Sequence, residues 1–562
     1  MPHLFRFSIA LSPEGIVICT THTCPFTGMF TYLQVSLEHG QSIMHHKHAE
    51  YTSTIKSAES ADLLTPTDYD RGISIRNICV GFLALSWLAG LSAIIVPLVA
   101  FHQKGPWSFT LRPAAVEVIA LAMNIFVTVL NESMGYIHST SLRWALQKER
   151  RLTFNANLRL FSSSSRTTVN KWYTNLAVII CAILTYSTPS LTYLRLGDTN
   201  VGDFTGNSVI VNRVAVVCLG IGITGQAAVS LSALFSNQIP TWSSNPFDTV
   251  KACLQMGTLQ RVPNRCMMGI KDATKPSQSK CPTVSHPGMI SSHIEVKWIF
   301  WLAWSLVPLG IIWGVVVKWL ADNLSNDSLA GGSWALMPQN NGDWASDRSP
   351  YVVLRLYKFA RNQYVAGFLC IILVSGLQAI LTIVLHCIEL LINLHRDEIF
   401  WRTASSTEGC QCSSYDSMLA ACKSWPTVVL FFGKAVIHWL FGLSVTEYYE
   451  RDIEWSKVES KLRPFLRFRP VQIFYMTGML VLISFLASFL AFKRSQGAQP
   501  AAYGHLQTLS NLIDEWPAER DFFWGHKGKA LRGYYFHAGT SGERLEKIRW
   551  GKLYMGELIN LV

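Results

Sequence analysis

Apolar residues along this chain fall in long unbroken runs rather than in the alternation of a half-buried strand or the stripe of a surface helix. The clearest is Ile78–Phe101, 24 residues without an ionisable side chain. About 20 apolar residues in a helix match the ~30 Å hydrocarbon core of a bilayer. The same pattern predicts helices at Pro113–Ile137, Trp172–Pro189, Val214–Phe235, Trp298–Val317, Tyr364–Ile388 and Val471–Phe492. The fold class expected is all-α, a polytopic transmembrane helix bundle of seven spans. Thr427–Val445 is an eighth apolar stretch at the lower limit of spanning length, and Lys434 and His438 share one of its helical faces. It could be an eighth span, a re-entrant piece or an interfacial helix; the polar stripe suits an interfacial or bundle-buried position, and a non-spanning segment is the expectation. Residues 1–77 read as a polar N-terminal segment, 78–492 as the bundle and 493–562 as a soluble C-terminal tail. In the tail Leu506, Leu509, Leu512, Ile513 and Trp516 keep helical spacing up to Pro517.

Loop charge orients the bundle. His138–Lys171 holds seven Lys and Arg and one acid, so it is expected in the cytosol. Seven spans put the N-terminus and the segments before Lys297 and Val471 on that side, with the short loops after Phe101 and Pro189 opposite. The loop after Val317 also lies opposite, and carries the glycosylation sequons Asn323-Leu-Ser and Asn326-Asp-Ser. The tail is harder to place: seven spans leave it outside although Lys493 and Arg494 follow the last helix. Eight spans bring it inside but carry Arg451–Arg469, with six Lys and Arg, to the other face.

Composition narrows the class further. Charged residues are only 15% of the chain, against about 25% in soluble domains. The net charge of +12 arises from clusters flanking apolar runs, so no nucleic acid is expected as partner; the partner expected is the lipid bilayer. The 13 cysteines do not form a disulfide-scaffold pattern. Six of them, Cys253, Cys266, Cys281, Cys410, Cys412 and Cys422, lie in loops and would pair only in an oxidising compartment. Neither their spacing nor His45-His46-Lys47-His48 makes a structural zinc pattern, so no metal and no cofactor is expected.

Candidate chemistry lies in polar residues inside apolar runs, because hydrocarbon penalises them. Glu117, Asn124 and Asn131 repeat every seven residues and share one helical face, continued by His138 with Glu132 beside it. Ser375, Gln378, Thr382, His386 and Glu389 form a second stripe at spacings of three and four. The two stripes either line a hydrated solute path with proton-exchanging groups or serve as interhelical hydrogen-bond glue. Gly220, Gly222, Gly225, Ala228 and Ser232 predict close helix packing. Trp298 and Trp319 fit interfacial belts, and Ser162–Ser165 reads as a solvated loop. The Gly-x-Ser-x-Gly, His-Glu-x-x-His and Walker signatures are absent, and no catalytic residue is assigned.

Four segments carry a resemblance. Leu64-Thr-Pro-Thr-Asp-Tyr-Asp-Arg-Gly, the stretch from Asn131-Glu-Ser-Met-Gly-Tyr to Trp144-Ala-Leu, Leu152–Phe161 and Tyr503-Gly-His-Leu-Gln-Thr-Leu resemble a group of fungal multi-pass membrane proteins without an assigned activity. The resemblance implies a multi-pass membrane protein and no chemistry; the location expected from the apolar runs is the plasma membrane or an endomembrane. The leading expectation is a carrier or channel for a solute. The alternative is a non-catalytic receptor or scaffold that binds partners through its basic loops and tail.

Overall fold

The computed structural model describes residues 11–12, 15–16, 69–100, 108–196, 208–236, 238–324, 334–337, 350–356, 363–406, 408–411, 423–452, 461–517, 521–530 and 534–556. The histidine run at 45–48, the Asn326 sequon, Cys412 and Cys422 lie outside them. The chain divides into two compact units, Met1–Pro66 and Thr67–Val562. In the first, the described residues form a short ladder of β1 (Leu11–Ser12) and β2 (Gly15–Ile16).

The second unit is a helical bundle with a small sheet on one face and a folded layer on the other. Its long helices are α1 (Ile73–Ala100), α2 (Pro113–Lys148), α3 (Trp172–Ser187, prolonged by α4, Pro189–Thr192), α5 (Arg213–Ser236), α7 (Ile294–Leu324), α8 (Gln363–Thr403), α9 (Trp425–Ser444) and α10 (Pro470–Phe492). A short α6 (Pro246–Gln255) precedes α7, and α11 (Leu506–Leu512) follows α10. Among the described residues seven helices are long and apolar enough to cross a bilayer, so the chain is an integral membrane protein. They are not the seven expected: Trp425–Ser444 is among them, while Trp172–Ser187 is the shorter helix, with 16 residues. The expectation of a non-spanning Thr427–Val445 is corrected. Its polar face does not need water, because Lys434 and His438 point into the bundle and find partners there.

A six-stranded sheet gathers helix ends onto one face. Its order is β3 (Ser108–Thr110), β5 (Ser208–Val211), β4 (Tyr193–Leu196), β8 (Val445–Asp452), β9 (Lys461–Phe468) and β6 (Val352–Leu354). All pairings are antiparallel except β4 with β8. These strands follow α1, α4 and α9 and precede α2, α5, α8 and α10. Eight apolar helices therefore alternate in direction, and both ends of the bundle region, Gly72 and Lys493, lie on the face opposite the sheet. This places the Arg451–Arg469 hairpin on the sheet face, not beside the basic loop as seven spans had implied. There Arg467 stacks on Tyr448 and Tyr351, and Arg469 donates to the Tyr448 hydroxyl at 2.6 Å. Asn323, at the end of α7, and the basic loop 138–171 sit at opposite faces, as loop charge requires.

Small residues set the helix spacing. A Cβ on Gly220 of α5 would lie 2.7 Å from the Gly90 carbonyl oxygen of α1, so only glycine permits that approach. Outward positions such as Leu88, Val99, Trp301, Ile312, Phe368 and Leu482 are exposed and apolar. Water would penalise such a belt, whereas lipid tails match it.

The face opposite the sheet carries a second core. Trp144 and Trp401, from the ends of α2 and α8, pack with Phe247 of α6, with Leu506, Leu509 and Leu512 of α11, and with Trp524 and Tyr554. β7 (Cys410–Gln411), β10 (Asp521–Lys529) and β11 (Phe536–Ser541) form its sheet. The amphipathic tail helix thus docks on the bundle's own loops. Ser162–Ser165 is ordered too. Glu149 accepts from the Ser164 hydroxyl at 2.7 Å, the Ser165 amide at 2.7 Å and the Arg166 amide at 2.9 Å. Although partial burial pushes this carboxyl up, those donors and Arg151 win and hold it down at about 2. Cys253, Cys266, Cys281 and Cys410 are free thiols.

Candidate functional site

The site is centred on a lysine in the middle of a helix. Pro426 lies in the first turn of α9, where its missing N–H costs nothing, and an uninterrupted apolar sequence carries the helix on to Ser444. Lys434 and His438 lie one turn apart and both are buried. An ammonium taken out of water needs anionic partners. Lys434 Nζ donates to Glu132 Oε1 of α2 at 2.5 Å and also to Glu389 Oε1 of α8. His386 Nδ1 lies 2.5 Å from the same Glu389 oxygen. Three helices are thus tied by one cation, with the lysine side chain 2% exposed and the two carboxylates 35% and 25% exposed.

These groups form the floor of a cleft of about 320 Å³. Its walls include Ser139 and Arg143 on α2, Asn393 and Arg396 on α8, Thr427 and Leu430 in the first turns of α9, and Arg159 from the basic loop. All these wall segments belong to the face opposite the six-stranded sheet. The cleft therefore descends from the basic-loop face to Lys434. Arg159 lies across Gly135, where a Cβ would fall 1.9 Å from its Nη1. The helix can bring the guanidinium down to the floor only because no side chain stands there.

Beyond the floor, buried polar groups continue toward the sheet. Tyr186 of α3 stacks on His438 with ring centroids 4.2 Å apart and lies 5.8 Å from His386. Gln378 Nε2 meets His438 Nδ1 at 2.6 Å and donates to the Tyr186 carbonyl at 3.0 Å. Ser187 and Ser375 hydroxyls are 2.8 Å apart. Gln378 Oε1 and His386 Nε2 are buried with no hydrogen-bond partner among the described residues.

The two sequence stripes have different fates. On α2, Asn131 is glue: Nδ2 donates to Thr185 Oγ1 at 3.1 Å and Oδ1 accepts from Gln226 Nε2 at 2.9 Å, joining α2, α3 and α5. Asn124 bonds back to the Ala120 carbonyl, and with Glu117 it lines a separate pocket of about 30 Å³ near Tyr193 and Thr446. His138 is buried at the end of this stripe, beside the Val169 backbone. On α8, Thr382 bonds within its own helix to the Gln378 carbonyl, whereas Gln378, His386 and Glu389 converge on α9. The stripes do not meet each other directly; the link is Lys434. Sequence reasoning had noted Lys434 and Glu132 without assigning either to a site. The available signal was a lysine in an otherwise apolar 20-residue helix, which requires a carboxylate on a neighbouring helix.

Glu132, His386 and Glu389 offer ligand atoms within 4.8 Å of one another. The Lys434 ammonium already bonds both carboxylates and stands where a cation would. A divalent ion would have to displace it. No family model, curated protein or solved structure matches the chain.

Proposed function

We propose that this integral membrane protein is a carrier for a small solute that enters the cleft from the basic-loop face and reaches the Lys434 centre. The observation carrying this reading is the buried Lys434–Glu132–Glu389–His386 cluster at the floor of a wide cleft, backed by polar atoms of Gln378 and His386 without a partner among the described residues. Ionisable groups within a bundle are expensive and ordinarily mark substrate or ion paths. Orphaned buried donors and acceptors supply unmet hydrogen-bonding capacity just where a solute or its water would pass. The His386–Glu389 pair and Lys434 can exchange protons as contacts break and re-form, which would couple solute movement to proton movement.

The test is untargeted uptake. Proteoliposomes holding the full chain are incubated with a whole-cell metabolite extract, washed, and their contents compared by mass spectrometry with those of Lys434→Met proteoliposomes. Enrichment of a small solute by the wild type alone is expected. Equal contents in wild type, variant and empty liposomes would overturn the carrier reading.

A further inference from the structure

We infer that the cleft selects an oxyanion, a carboxylate or phosphate group carried on an apolar body, and that Arg159 and Arg396 bind it. The inference rests on the carrier reading for its functional meaning, but its physical basis is separate. Four cationic side chains line the cleft, Arg143, Arg159, Arg396 and Lys434, against two carboxylates, Glu132 and Glu389. Lys434 is consumed by the two glutamates, and Arg143 is satisfied by the Ser243 carbonyl at 2.9 Å. Arg159 and Arg396 are each half-buried in the wall, Arg159 in the field of Glu389 and Arg396 in that of the neighbouring Asp397, and neither makes a hydrogen bond or salt bridge within 4.0 Å among the described residues. A guanidinium brought into a partly dry cleft loses hydration that a planar oxyanion restores through two parallel N–H donors. Over its whole lining the cleft thus has four cations against two carboxylates, and Arg159 and Arg396 keep N–H donors turned to no partner among the described residues.

The remaining wall mixes polar residues such as Ser139, Asn157 and Asn393 with an apolar surface. Leu142, Leu158, Leu160, Leu390 and Phe431 face the same space. A bare inorganic ion would leave that surface wet, whereas a short alkyl or aromatic body would cover it. The volume, about 320 Å³, falls at the lower end of the range for small-molecule sites. Location agrees: basic pockets between helices on the positively charged face suit anionic headgroups as well as soluble organic anions. The shared chemistry is the oxyanion on an apolar body. The source, bilayer or water, is read from the arms of one experiment.

The purified full-length protein is reconstituted in nanodiscs of phosphatidylcholine alone, and its thermal stability is followed with octyl phosphate, octyltrimethylammonium or inorganic phosphate added. A parallel arm replaces a fifth of the phosphatidylcholine by phosphatidic acid. Octyl phosphate should stabilise the wild type in a saturable way, octyltrimethylammonium should not, and inorganic phosphate should act only at far higher concentration. Arg159→Gln and Arg396→Gln should each weaken the octyl phosphate response by about tenfold or more, as expected for loss of a charge-assisted contact. Arg159→Lys and Arg396→Lys should retain part of it, and serve in place of the glutamine variants if those fail to fold. If phosphatidic acid pre-empts the octyl phosphate response, the anion comes from the bilayer; if the response persists undiminished, it comes from water. Equal stabilisation by the cationic and anionic amphiphiles, or glutamine variants indistinguishable from wild type, would overturn the inference. Solute uptake without any octyl phosphate response would sink the anion assignment and leave the carrier standing. The reverse combination would sink the carrier and leave an anion-binding cleft.

Discussion

Replacing Lys434 by methionine keeps the volume of the side chain and removes its charge. Glu132 and Glu389 are then left facing each other without the ammonium that both now contact. Removing one partner from a fully buried ion pair costs about 3–5 kcal/mol, most of it the stranded charge. Here the stranded groups are 35% and 25% exposed to the cleft, so water recovers part of that loss and about 2–3 kcal/mol is expected. The lysine itself, 2% exposed, gives back some desolvation when it is removed, which keeps the figure at the lower end. The assay is equilibrium unfolding of the reconstituted protein in mixed micelles with rising dodecyl sulfate. Lys434→Met should lower stability by this amount. The triple variant Lys434→Met, Glu132→Gln, Glu389→Gln should return to within about 1 kcal/mol of wild type, since no charge is then stranded. A single variant as stable as wild type, or a triple variant no better than the single, would refute the reasoning.

Other expectations follow from the same geometry. Gly135→Ala should fold normally, since alanine favours helix, yet weaken octyl phosphate binding by pushing the Arg159 guanidinium off the floor; dose–response curves check it. Asn131→Leu should cost about 1–2 kcal/mol in the unfolding assay, because it strands Gln226 and Thr185, and should leave labelling of the cleft unchanged. Glu447, outside the spans, is buried against Asn212 Nδ2, and burial pushes its carboxyl up to about 8. The folded protein therefore keeps a proton that the unfolded chain has lost between about pH 4.3 and 8; stability falls as pH rises through that window, and Glu447→Gln should flatten the profile. In the tail, Asp514 accepts from His537 Nε2 at 2.7 Å, Lys527 Nζ at 3.1 Å and the Thr540 amide at 2.5 Å, which hold its carboxyl well below the usual range against the opposing effect of burial. Its contribution is present above the unfolded value near 3.9 and lost as pH falls through the folded one, so Asp514→Asn should speed proteolysis of the tail by an order of magnitude at neutral pH and make less difference in acid.

Much of the bundle is legible because hydrocarbon imposes a simple rule on sequence. Ile73–Ala100 and Pro470–Phe492 are visible as runs, and Gly220 as a packing position, without any tertiary knowledge. The misreading of α9 has one cause. Hydropathy scores a buried lysine as if it met lipid, so Lys434 made Trp425–Ser444 read as interfacial, although its ammonium is neutralised by α2 and α8. That error carried the 445–469 hairpin to the wrong face, because each helix miscounted reverses everything after it. The six-stranded sheet was also invisible: its strands are short and pair across up to 253 positions, as Arg195 does with Tyr448. Half of the site could be read as stripes, since Gln378, His386 and Glu389 follow helical spacing. The other half could not, because Glu132 lies one residue off the stripe of α2, and only the crossing of α9 selects it over Asn131.

The most direct measurement is side-specific thiol labelling. Single cysteines at Asn393, in the cleft, and at Ser375, beyond Lys434 toward the sheet, are placed in a background without native thiols, and a small membrane-impermeant reagent is applied to each face of sealed vesicles. A carrier gives Asn393→Cys labelling from the basic-loop face and Ser375→Cys labelling from the sheet face, with solute extract slowing both. Cysteines at both positions that stay unlabelled from either face in the folded protein would show that the polar groups are packing alone, and would contradict transport through this bundle.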